Sequence, residues 1–249
     1  MDLLHGSSAF LSAFAAGAIN SVAGGGTLRT FPTLIWLGLD SISANATSTA
    51  AIWPGSLGSM WGYRKELRSA DPRMLALTVP SLIGGIAGAV LLRFTPPSIF
   101  DALVPFLILF ATVLFMLPAE RLFKPSHQWL TGAILFQFFV ALYGGYFGAG
   151  IGILMLAALS ILGLTDIHQM NGLKNFFALC INGVAAMYFI FARMVEGPYV
   201  LIMAVGAIAG GYGGAGLARR MGRTAVRRVV IAIGFVMALS LFLKWVLKH

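Results

Sequence analysis

The stretch AGAINSVAGGGTLRTFPTLIWLGLD, residues 16–40, decides the architecture. It is apolar on both sides of three consecutive glycines, Gly24, Gly25 and Gly26. Glycine in a helix interior costs about 1 kcal/mol relative to alanine, so three in a row read as a helix break. The apolar run that follows, 26–38, ends at Gly38. A helix needs about 20 apolar residues to cross ~30 Å of hydrocarbon, so this run is short. The same construction returns in GGYFGAGIGILMLAAL, residues 144–159. There the cluster Gly148, Ala149, Gly150, Ile151 and Gly152 joins one apolar segment to another short one, 148–163.

Working outward, apolar segments fill almost all of the 249 residues. The first half reads as 8–23, 26–38, 44–63, 74–92 and 98–117. The second half reads as 129–147, 148–163, 171–192, 198–218 and 226–246. Hydrophobic residues make up 59% of the chain and charged residues 10%, with a mean hydropathy of +0.89. A soluble domain carries about 25% charged residues, so the solvent for most of this surface must be lipid. The net charge of +9 does not point to nucleic acid, because the cations sit in short breaks between apolar runs. That placement is the orientation signal of membrane proteins. Residues 1–8 contain no Lys or Arg, so the positive region of a cleaved signal is missing and none is expected. Cys180 is the one cysteine, and it lies inside an apolar run. It reads as a small packed side chain.

The two halves mirror each other in sequence. At a spacing of 126 residues Asp40 falls on Asp166, Asn45 on Asn171, and Gly84, Gly85, Gly88 and Arg93 on Gly210, Gly211, Gly214 and Arg219. Gly38-Leu39 falls on Gly163-Leu164 at 125. Five segments per half is an odd number, so tandem halves must face opposite ways. Counting crossings puts the loop of Arg64, Lys65, Arg68 and Arg73 on the same side as that of Arg219, Arg220, Arg223, Arg227 and Arg228, as the positive-inside rule asks. The expected fold is therefore an all-α integral membrane protein. It is a polytopic helical bundle of two inverted-topology repeats, about 8–118 and 129–247, with short broken or re-entrant helices, in one domain over 1–249. The basic loops fit the inner membrane of a prokaryote.

Paired, glycine-interrupted short segments in inverted halves mark the substrate site of secondary transporters. A broken helix exposes backbone N–H groups and a positive dipole end, which suit an anion. Polar residues inside apolar runs cost free energy unless used. Those here are Asn20, Arg29, Asn45, Thr47 and Ser48 in the first half, and Asn171, Lys174, Asn175 and Asn182 in the second. At the 126 spacing Lys174 lies opposite Ser48, Asn182 opposite Ser56, and Arg29 opposite Met155. Each half could contribute one cation and several amides to a cavity for an oxyanion. Arg29 and Lys174 could equally snorkel to the interface, and the asparagines could serve inter-helix bonding. Gly84, Gly85, Gly88, Gly210, Gly211 and Gly214 read as helix-packing residues. Asp40 and Asp166 sit at segment ends, and no HExxH, GxSxG, Walker or acidic metal cluster occurs. An enzyme and an ATP-driven pump are thereby disfavoured, and no cofactor is implied.

The residues also carry a family resemblance. Asn20, Ala23, Gly24, Gly25, Gly26 and Pro32, followed by Ala44, Asn45, Ala46, Thr47 and Ser48, resemble the TauE/SafE family of membrane permeases. GGYFGAGIGILMLAAL and MNGLKNF, from Met170, resemble that family's second repeat. The resemblance covers nearly the whole chain. It implies a secondary transporter, often an exporter, of sulfite, a sulfonate or another small organic or inorganic anion. The implied partners are a small anionic substrate, the bilayer and a coupling proton or ion, with no nucleic acid. Arg29 departs from the apolar or small residue expected there. A passive anion channel would share all these features.

Overall fold

The computed structural model describes residues 3–22, 25–62, 64–68, 72–116, 130–164 and 166–214, and then 228, 231–236, 238–240 and 242–243. Gly24, the loop of Arg121 and Lys124, and the basic loop from Arg219 to Arg227 lie outside the described residues. So does the test that this second basic loop gives of the crossing count.

The described residues form helices and turns, with no strand among them. The first half runs α1 (Leu3–Val22), α2 (Thr27–Trp36), α3 (Ser41–Gly62), a short α4 (Arg64–Arg68), a 3-10 turn over Pro72–Leu77 leading into α5 (Thr78–Phe94), and α6 (Pro97–Met116). The second runs α7 (Leu130–Tyr146), α8 (Ile151–Ile161), α9 (Ile167–Phe191) and α10 (Gly197–Ala209), which continues through a π turn at Gly210–Gly214. A further apolar helical stretch lies over Ile231–Ser240. Met74–Phe94, Pro97–Leu114 and Gln169–Phe191 are each long and apolar enough to cross a bilayer. Helices α2 and α8, with 10 and 11 residues, rise about 15 Å. Each covers about half of the hydrocarbon layer.

The two short helices end by the same device. Gly38 and Gly163 take φ +95° and +85°. The next residue's N–H then reaches back five residues, Leu39 to the Leu34 carbonyl (3.1 Å) and Leu164 to the Leu159 carbonyl (3.2 Å). This is the left-handed glycine cap that satisfies orphan carbonyls at a helix end. The following helices also start alike. Asp40 accepts the Ser43 N–H on Oδ1 (3.0 Å) and the Ala44 N–H on its carbonyl, while the Asp166 carbonyl accepts the Met170 N–H. The paired Gly-Leu and Asp marks in the sequence are thus helix stops and starts.

Packing crosses between the halves. Helix α1 lies along α10, α5 lies along α7, and α3 and α9 pack on each other at the centre. Close approach needs glycine: a Cβ on Gly88 would land on the Leu142 carbonyl of α7, and one on Gly210 on the Phe14 carbonyl of α1. Gly84 and Gly85 likewise face backbone or side-chain atoms of α7 and α9, so their packing role holds. The core carries Phe31, Phe100, Phe147, Phe177 and Phe189, all buried. Phe31 of α2 meets Phe147, at the end of α7, edge-on at 5.4 Å between centroids. Outward faces of α5, α6 and α10 instead carry exposed Ile83, Phe106, Leu201 and Val205. An apolar exterior of that extent is a lipid-facing surface, and the chain is a multi-pass membrane protein.

Candidate functional site

The site grows from the two helix breaks. At the first, α1 stops at Val22 and α2 starts at Thr27. The Gly26 N–H donates to Asn20 Oδ1 at 2.7 Å, and the Gly26 carbonyl accepts from the Thr30 N–H at 3.1 Å. A Cβ on Gly26 would sit 2.7 Å from the Asn20 amide nitrogen and 2.8 Å from the Ala16 carbonyl oxygen. At the second, α7 stops at Tyr146 and α8 starts at Ile151. Gly148 and Gly150 between them take φ +79° and +75°, which glycine adopts without a Cβ penalty. The Tyr143 hydroxyl donates to the Ala149 carbonyl at 2.8 Å and ties the break to α7.

A polar cavity of about 30 Å³ opens where these breaks meet the central helices. A water needs roughly 10–15 Å³ by the same measure, so there is room for a ligand of few atoms. Asn20 and Thr27 line it from the first break, and Gly148, Ile151, Gly152 and Met155 from the second. Helix α3 contributes Ile52 and Ser56, one turn apart, and α9 contributes Lys174, Asn175, Ala178 and Asn182. On α9 the spacing 174, 178, 182 places three of these on one face. Lys174 and Asn175 are buried, at 2% and 5% exposure, and Asn175 Nδ2 has no hydrogen-bond partner among the described residues. Among the described lining residues Lys174 is the one that carries a charge. Asp40, Asp101, Asp166 and Glu196 are all exposed. Among the described residues no cluster of His, Cys, Asp or Glu could hold a metal ion.

Five of the expected site residues therefore converge on the cavity: Asn20, Gly148, Lys174, Asn175 and Asn182. Others lie beside it. Gly25 and Gly26 are buried in the first break, and Gly150 in the second, without lining. Asn171 is buried on α9, one turn before Asn175. Asn45, Thr47 and Ser48 face protein instead. Asn45 Nδ2 donates to the Tyr146 carbonyl (2.8 Å), Thr47 Oγ1 accepts the Glu196 N–H (2.9 Å), and Ser48 shares a 2.5 Å hydrogen bond with Thr30 of α2.

Arg29 is exposed on α2 and does not line the cavity. The reason is helical phase. Thr27, Leu28, Thr30, Phe31 and Leu34 form the buried face of α2, and at about 100° per residue Arg29 points roughly opposite Thr27. The cavity also uses Thr27, Ile52, Ser56 and Gly152, which sequence reasoning did not put forward as ligands. Ser56 and Ile52 lie 126 residues from Asn182 and Ala178, so the repeat spacing held the signal for both.

The family described as sulfite exporter TauE/SafE matches residues 9–241. The chain is 29% identical over 237 residues to a "Probable membrane transporter protein" of Haemophilus influenzae, covering 92% of this chain and 91% of that one. It is 24% identical to the "Probable membrane transporter protein ORF9" of a Sinorhizobium species, with 93% and 90% covered. It is also 24% identical to the "Probable membrane transporter protein YfcA" of Escherichia coli K12, with 93% and 87% covered. No solved structure matches. Residues 9–241, with both helix breaks and the cavity between them, belong to the sulfite exporter TauE/SafE family of membrane transporters, and this chain is a member.

Proposed function

We propose that the protein is a secondary transporter, working as an exporter, of a small sulfur-containing anion such as sulfite or a sulfonate. The observation that carries this reading is the lining of the central cavity, which among the described residues holds one cation, Lys174, with amides, hydroxyls and a helix N-terminus, and no carboxylate. A buried ammonium facing the cavity attracts an entering anion and can donate charge-assisted hydrogen bonds to its oxygens. The amides of Asn20, Asn175 and Asn182 would orient its oxygens. The volume favours an anion of few atoms, and the family description supplies sulfite and outward movement.

The crossed pairing of α1 with α10 and α5 with α7, with α3 on α9 between them, supports two inverted halves related by a two-fold axis through the cavity. Rocking of one half against the other would expose the site to alternate sides of a bacterial inner membrane.

The test is counterflow in proteoliposomes. Vesicles preloaded with unlabelled sulfite should accumulate labelled sulfite transiently and with saturation, and external sulfate or thiosulfate should compete according to fit. Flux that rises linearly with concentration and gives no counterflow would mean a passive channel and sink the carrier reading.

A further inference from the structure

The two breaks treat their helix N-termini differently. At α2 the first free backbone donor, Gly26 N–H, is occupied by the protein itself, through Asn20 Oδ1 at 2.7 Å. At α8 the first residues, Ile151 and Gly152, line the cavity, where the opening N–H groups of a helix lack intrahelical partners. The buried Asn175, whose Nδ2 has no hydrogen-bond partner among the described residues, lines the same space. Both helix starts reach the cavity, through Thr27 at α2 and through Ile151 and Gly152 at α8, but at α2 the Gly26 N–H is taken by an internal acceptor.

The hydrogen bond at the first break also settles how the Asn20 amide is turned. A backbone N–H needs an acceptor, so the atom facing Gly26 is the carboxamide oxygen. What Asn20 can offer the cavity it lines is therefore the Nδ2 donor pair. Gly26 holds this orientation from one side, and the absence of a Cβ there lets the amide lie against the chain, 2.7 Å from where that Cβ would be.

We propose that Asn20 is a specificity-determining residue that restricts the cavity to anions: Gly26 N–H locks its Oδ1, so that only its donor side meets a ligand seated against the α8 N-terminus and Asn175. This rests on the anion-transport reading above and adds how the site rejects neutral acceptor-poor and cationic solutes.

The test is Asn20→Asp in purified protein. The substitution is nearly isosteric and keeps an acceptor for Gly26 N–H, and a negative charge suits a helix N-terminus, so stability without ligand should not fall. It replaces the donor pair by a charged oxygen facing the ligand. With sulfite, sulfate, thiosulfate and methanesulfonate as probes, wild type should be stabilised by at least one anion. Asn20→Asp should bind that anion about a hundredfold more weakly or not at all, since like charges at close range are strongly disfavoured.

Unchanged affinity in folded Asn20→Asp would overturn the inference, leave Asn20 as a helix cap only, and leave the transport reading standing. If Asn20→Asp does not fold, Asn20→Ser carries the test: the hydroxyl adds no charge, and loss of the oriented amide should still weaken binding about tenfold. Unchanged affinity there would overturn the proposal too. Failure of wild type to bind any of the four probes would overturn the anion reading itself, and the inference with it.

Discussion

Helices α3 and α9 hold corresponding places in the order of elements and carry the most polar sequence of the interior, yet they use it differently. On α3, Asn45, Thr47 and Ser48 reach other helices: the end of α7, the start of α10 and the face of α2. On α9, Lys174, Asn175 and Asn182 turn to the cavity. Only further along α3, at Ser56, does that helix reach the cavity with a polar side chain. The comparison shows two ways of making a buried polar group tolerable in lipid. One bonds it to a neighbouring helix, and the other turns it to a cavity that a ligand can enter. The first fixes the position of helices that flank the site, and the second supplies the recognition.

The contrast breaks if the two sets of substitutions behave alike. Lys174→Met should have the largest effect. Truncating a buried charge that contacts an ion costs several kcal/mol of binding, so anion affinity of the folded protein should fall about a hundredfold or more. Wild-type affinity in this variant would remove Lys174 from the site. Asn45→Ala should do the reverse on a smaller scale. Loss of the bond to the Tyr146 carbonyl should destabilise the protein by about 1–3 kcal/mol, read by chemical denaturation in detergent, with little change in affinity of the folded protein. A large loss of affinity at unchanged stability would place α3's motif in recognition and dissolve the difference between the helices.

Much of this was legible in the sequence because glycine and aspartate act locally. Gly38 and Gly163 end short helices through their own backbone geometry, and Asp40 opens α3 through its own side chain, so their spacing alone located the short helices. The clusters at Gly26 and Gly148–Gly152 located the breaks for the same reason. Orientation around a helix was harder. Arg29 sits two residues beyond Thr27, and whether it faces the cavity depends on where α2 begins, a matter of one residue. Asn45 and Ser48 had the polarity expected of ligands, but their partners lie 101 and 18 residues away, and no local pattern announces such bonds. Ser56 is chemically ordinary, and only its place opposite Asn182 pointed to the cavity.

The most direct measurement is the location of a bound heavy oxyanion. Selenite resembles sulfite in shape and charge and scatters anomalously at selenium. A crystal of the protein grown with selenite should hold one selenium peak per chain in the central cavity, within hydrogen-bond reach of Lys174 and Asn175 and against the first residues of α8. An empty cavity in that crystal, with selenium beside exposed Arg29 or at the start of α2, would contradict the account.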